Sequence, residues 1–132
     1  EKEDLYEALD SVIKNLAKTA YIVVKDTVNQ KNITIPENEI IYAQADNIYA
    51  EVVTAQGIFL YSNKISLLVK KLNEEYFYRS NRSYIVNFNY IIGYSKKEIE
   101  FSNGQKALIS SSKFKDFKSK YLNYLKRKSI GE

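Results

Sequence analysis

The chain has 132 residues, 45% hydrophobic and 27% charged, a balance that suits one globular domain with its own core and leaves no room for a second. It contains neither cysteine nor histidine, which excludes disulfide frameworks, thiol nucleophiles, His-dependent triads and the usual transition-metal ligands, so no cofactor is expected. The net charge of +4 divides unevenly: residues 1–63 hold 5 basic and 10 acidic side chains, residues 64–132 hold 15 and 6, as expected of a domain that turns one face to a polyanion.

Taken in chain order, the acidic start Glu1-Lys-Glu-Asp4 has neither the basic region nor the apolar segment of a secretion signal. The chain also lacks methionine, so it is expected to be part of something longer. No stretch approaches the roughly 20 apolar residues that cross a bilayer, and a cytoplasmic location is expected. Between Asp4 and Lys18, Leu5, Leu9, Val12 and Leu16 recur at the period of an amphipathic helix, whose stripe needs a partner face. Tyr21-Ile-Val-Val24 and Ile33-Thr-Ile35 read as a hairpin across Asn29-Gln-Lys-Asn32, and Pro36 stops the second strand by removing a ladder donor.

Ile40–Ala45 and Ile48–Thr54 form the next strand pair across Asp46-Asn47, and Gly57 turns the chain into Ile58–Tyr61. Ser62 or Asn63 is expected to cap a helix over 66–72. Its apolar positions Ile65, Leu68, Val69 and Leu72 share one face, with Lys64, Lys70 and Lys71 toward solvent. Strands follow at Tyr84–Phe88 and Ile91–Tyr94, then Glu98–Phe101 pairs with Lys106–Ile109 across Asn103-Gly104, the strongest hairpin signal present. Phe114, Phe117, Tyr121 and Leu125 fall at helical spacing in a basic closing segment.

Catalysis has little to work with. The carboxylate pairs Glu37 and Glu39, Glu74-Glu75, and Glu98 and Glu100 sit in turn or exposed-strand contexts and read as a solvated face. Four scattered glycines make no phosphate loop. The chain is not expected to be an enzyme.

The richest segment is Phe77-Tyr-Arg-Ser-Asn-Arg-Ser-Tyr-Ile-Val-Asn87, where Arg79, Asn81, Arg82 and Ser83 crowd ahead of a clean strand signal. A guanidinium fork matches the acceptor pair on a guanine edge or a phosphate, and Ser and Asn can bond base edges or backbone oxygens. Asn87 is expected to stabilise a turn, and Tyr84, Val86 and Phe88 to pack in the sheet.

Together with Ile40-Ile-Tyr-Ala-Gln-Ala-Asp-Asn-Ile-Tyr49, Ala55-Gln-Gly57, Ile91-Ile-Gly93, Ser102-Asn-Gly104 and Ser110-Ser-Ser-Lys-Phe-Lys115, that segment resembles the LytTR family, the DNA-binding output domain of many bacterial response regulators. The resemblance covers about Pro36 to Leu125 and implies a mainly β fold of antiparallel sheets with short helices. Residues 1–19 would then be a helical linker or the end of a preceding receiver domain, and residues 20–132 the DNA-binding domain.

The resemblance further implies that loops at the sheet edges enter successive major grooves of double-stranded DNA, with pairs of protomers reading direct repeats in promoters. Carried over by position, the loops are Asp46–Tyr49, with Asn47 and Tyr49 as contacts; Arg79–Ser83, with Arg82 reading bases and Arg79 holding phosphate; and Ser110–Lys115, with Ser110 and Ser112 as polar contacts. Lys113 and Lys115 would supply nonspecific charge. Many relatives carry a Ser-Arg-Arg-like sequence in the third loop; the serines here make no bidentate guanine contact. Two other readings compete. One is a β-rich interaction or sensor module whose basic half meets an acidic protein or lipid surface, its arginines held in salt bridges. The other is single-stranded nucleic-acid binding through the 12 tyrosines, which requires several of them exposed along one groove.

Overall fold

The computed structural model describes residues 20–131, so the helix expected over Asp4–Lys18 and the boundary at residue 19 lie outside the described residues. Strands β1 (Tyr21–Asp26), β2 (Lys31–Pro36), β3 (Ile40–Asp46), β4 (Tyr49–Thr54) and β5 (Gly57–Tyr61) precede helix α1 (Ile65–Lys71). Strands β6 (Phe77–Asn81), β7 (Tyr84–Asn87), β8 (Ile91–Tyr94), β9 (Glu98–Phe101) and β10 (Lys106–Leu108) follow, and helix α2 (Phe114–Gly131) closes the fold. The architecture is mostly antiparallel β, as expected: a seven-stranded sheet in the order β2-β1-β5-β4-β3-β7-β6 and a three-stranded sheet in the order β10-β9-β8.

The central strands of the large sheet are buried on both faces, their successive residues going to opposite sides, whereas β1 alternates buried Ile22 and Val24 with exposed Tyr21 and Val23. Ala43, Val52, Phe77 and Ile85 join one core with Ile65 and Leu68 of α1 and Leu72 just beyond its end. Their neighbours Tyr42, Val53, Tyr78 and Val86 join a second core with Ile99, Phe101 and Ala107 of the small sheet and Phe117 and Tyr124 of α2. Helix α1 thus lids one face, while the small sheet and α2 cover the other.

Several local expectations change. Neither Ser62 nor Asn63 caps α1: Lys64 holds the N-cap position without a side-chain bond, and its carbonyl accepts from the amides of Leu67 and Leu68. On α2 the buried position is Tyr124 rather than Leu125, which stays 40% exposed, because Tyr124 stacks on Tyr121 and meets Phe88 and Tyr76 edge or face. Glu37 is not a solvated carboxylate. It is 3% exposed, and its Oε2 accepts from the amide of Asn73 at 3.0 Å, tying the chain beyond α1 to the β2–β3 connection. Asn87 stabilises its turn as expected: its Oδ1 accepts from the Asn89 amide and its Nδ2 donates to the Ile40 carbonyl.

Candidate nucleic-acid interface

The three segments singled out in the sequence are brought together at one edge of the large sheet. β3 and β7 pair antiparallel with Gln44 opposite Tyr84, so the β3–β4 turn and the β6–β7 turn emerge side by side. The Ala45 amide donates to the Ser83 carbonyl at 2.8 Å and extends that pairing to the turns themselves. The third segment joins from the other side: the Ser110 amide donates to the Ser80 carbonyl at 2.8 Å.

Each segment has a local cause. Asp46 pairs with Tyr49, leaving Asn47 and Ile48 as a two-residue turn, and Asn47 takes φ 60°, a left-handed conformation that Asn tolerates better than most residues. Asn47 is exposed and Tyr49 is 39% exposed. Asn81 pairs with Tyr84 around the two-residue Arg82-Ser83 turn, and the Asn81 Oδ1 accepts from the Ser83 amide at 2.9 Å, as Asx side chains do in turns. Ser111–Lys113 form a 3₁₀ turn running directly into α2, with the Lys113 amide bonded to the Ser110 carbonyl.

The expected loop at Arg79–Ser83 is shorter than the sequence suggested, because Arg79, Ser80 and Asn81 belong to β6. β6 is the last strand of its sheet, and its register against β7 shifts between Tyr78 and Asn81. That shift breaks the alternation by which a strand is recognised. Within the turn Arg82 is exposed, whereas Arg79 is half-buried and donates from Nη2 to the Arg82 carbonyl at 2.7 Å. The Arg79 Nε is buried without a protein partner.

Among the described residues the ion pairs are Lys106–Glu98 at 3.2 Å and Lys120–Asp116 at 3.6 Å, and neither Arg79 nor Arg82 meets a carboxylate. The salt-bridged arginines required by the interaction-module reading are therefore not found there. The tyrosine groove is not found either: among the described residues the exposed tyrosines are Tyr21, Tyr49 and Tyr94, on β1, β4 and β8. Ser111, Ser112 and Lys115 are exposed, Ser110 and Lys113 half-buried. No group of His, Cys, Asp or Glu among the described residues could hold a metal ion, and no described helix is long and apolar enough to cross a membrane.

Ser80 carried no signal in the sequence, yet it is fully buried and donates from Oγ to the Leu108 carbonyl at 2.8 Å. A serine inside a polar run reads as loop, and only the fold shows that it faces inward.

The chain is similar to a solved structure described as the LytTr DNA-binding domain of a methyl-accepting/DNA response regulator from Bacillus cereus. The two are 21% identical, the match covers 78% of this chain and 96% of that one, and the TM-score is 0.67, a likeness of fold. No curated protein matches the chain. The family model for the LytTr DNA-binding domain matches residues 30–122, which span all three segments of the edge described above, and the chain belongs to that family.

Proposed function

We propose that this domain binds double-stranded DNA sequence-specifically and regulates transcription in the cytoplasm, as the output domain of a two-component response regulator. Two protomers would pair on direct repeats, each reading bases through loops in the major groove, under the control of an upstream receiver or sensor domain. The observation that carries the reading is the junction of the turns at Asn47 and Arg82 with the Ser110–Lys113 segment into one edge, whose exposed guanidinium meets no carboxylate among the described residues.

Roles follow from exposure and chemistry. Arg82 is the base reader, since its fork can engage guanine O6 and N7 together and lysine cannot copy it. Asn47 suits an adenine edge, and Tyr49 a sugar-phosphate oxygen or a thymine methyl. Asn81 and Ser83 shape the turn that presents Arg82 and add polar contacts beside it. Ser110 and Ser112 offer hydroxyls, Lys115 a free charge for phosphate, and the remaining Arg79 donors a phosphate contact.

A fluorescence-anisotropy titration on sites selected from a random duplex pool tests this. Arg82→Ala is expected to weaken the selected site by about 1–3 kcal/mol and to relax preference at one base pair. Wild-type affinity should fall steeply with salt as counterions are released. Equal binding of selected and random duplexes would remove the reading.

A further inference from the structure

We infer that Lys113 and Ser80 are positioning residues that lock the Arg82 turn to the Ser110–Ser112 segment, so that the two loops meet DNA as one unit of fixed spacing. The inference rests on the DNA-binding reading above and assigns Lys113 a task other than neutralising phosphate.

An edge strand leaves a row of backbone groups without ladder partners. Where the β6 register shifts, the carbonyls of two consecutive residues, Arg79 and Ser80, are both taken up by the third segment. The Ser110 amide reaches the Ser80 carbonyl at 2.8 Å, and the Lys113 ammonium reaches the Arg79 carbonyl at 2.9 Å. Ser80 adds a third bond from its buried Oγ to the Leu108 carbonyl at 2.8 Å.

Lys113 is held against β6. Its ammonium lies 5.9 Å from the centre of the Tyr78 ring, and its carbonyl lies 3.4 Å from the Tyr78 hydroxyl, whose proton goes to the nearer Asp116 carboxylate at 2.8 Å. A lysine that served DNA as a mobile point charge would project into solvent, as Lys115 does two residues later. Lys113 is instead half-buried against β6, with its charge directed at a carbonyl whose residue also carries the guanidinium bonded across the Arg82 turn. Hydrogen bonds with an ionised partner are stronger than neutral ones, and Ser80 places a second, uncharged tie beside it. Tyr78, Arg79 and Ser80 therefore grip residues 108–113 at successive positions, and the spacing between the backbone of the Arg82 turn and that of the Ser110–Ser112 segment is set by the fold.

The test uses the full chain with Lys113→Met, Ser80→Ala and, for comparison, Lys115→Met. Binding to the selected duplex is followed across salt concentrations. A second duplex carries one base pair inserted between the positions whose preference is relaxed by Arg82→Ala and by Ser112→Ala.

For Lys113→Met the expected result is an unchanged salt slope together with a roughly tenfold loss of discrimination against the inserted duplex. Ser80→Ala should show the same loss, while Lys115→Met should lower the slope by about 0.9 and keep the discrimination. A Lys113→Met slope shallower by about 0.9 with discrimination intact would overturn the assignment, whether or not Ser80→Ala folds. Failure of the wild-type chain to prefer its selected duplex would overturn the functional reading, and this inference with it.

Discussion

The two faces of the large sheet are built from different materials. Beneath α1 the core is chiefly aliphatic, with Ile22, Val24, Ile35, Ile40, Val52, Ile85 and Leu68 meeting through contacts that have no preferred direction. The opposite face is aromatic. Phe117 packs against Tyr78, Phe88, Tyr94 and Tyr121 with ring centres 5.4–6.1 Å apart. Hydroxyls there also reach out of the core, Tyr78 to Asp116, Tyr121 to the Ile91 carbonyl and Tyr124 to the Asn89 side chain. The aliphatic face holds the sheet together, while the aromatic face also fixes where α2 and β6 lie, and the third loop runs between those two elements.

The largest expected effects break this contrast directly. Leu68→Ala and Phe117→Ala each remove a fully buried side chain and should destabilise the domain by about 2–5 and 3–5 kcal/mol respectively in urea titrations. Their consequences for DNA should differ. At a temperature where both variants are folded, Leu68→Ala should bind the selected duplex as the wild type does. Phe117→Ala should bind it more weakly, because α2 and the Ser110–Lys113 segment lose their seat. Equal affinity of the two folded variants would erase the functional difference between the faces.

A smaller effect separates shape from recognition at the first turn. Asn47→Ala places a residue with little tolerance for φ 60° in a left-handed position and should cost about 1–2 kcal/mol of stability. Asn47→Gly accepts that φ readily and should stay close to wild-type stability while losing the proposed adenine contact. Thermal melts and anisotropy titrations on the same pair check both halves. Full DNA affinity in Asn47→Gly would confine this side chain to the backbone turn.

Much of this was legible in the sequence because it depends on near neighbours. The apolar runs at Ile48–Thr54 and Tyr84–Phe88 signalled the strands β4 and β7, and Asn103-Gly104 signalled the β9–β10 hairpin, where Gly104 takes φ 84°. The three segments of the candidate interface were legible as motifs. Their junction was not, because it depends on bonds such as Ser110 to Ser80 between segments far apart in the chain. β6 was missed for a related reason: Arg79, Ser80 and Asn81 look like loop residues until an edge strand with a shifted register is allowed for. Tyr124 was passed over for Leu125 because both fit a helical period, and only the position of Phe88 decides between them.

The smallest predicted effects compare one hydroxyl from each face. Tyr61, on the aliphatic side, buries its hydroxyl without a protein partner, so Tyr61→Phe should be neutral or slightly stabilising. Tyr78, on the aromatic side, donates to Asp116 at 2.8 Å, and Tyr78→Phe should cost about 1 kcal/mol near pH 8. Burial, and after it the bond to the Asp116 carboxylate, raises the Tyr78 phenol above its ordinary value. A group whose folded pKa is raised contributes stability that is complete below the unfolded value, about 10 for tyrosine, and is lost as pH rises beyond it. The gap between wild type and Tyr78→Phe in urea titrations should therefore hold from pH 7 to 9 and narrow above pH ~10, as the unfolded chain ionises and the folded one resists. A gap that widens with alkali would mean that the phenolate, not the phenol, is the form this face prefers.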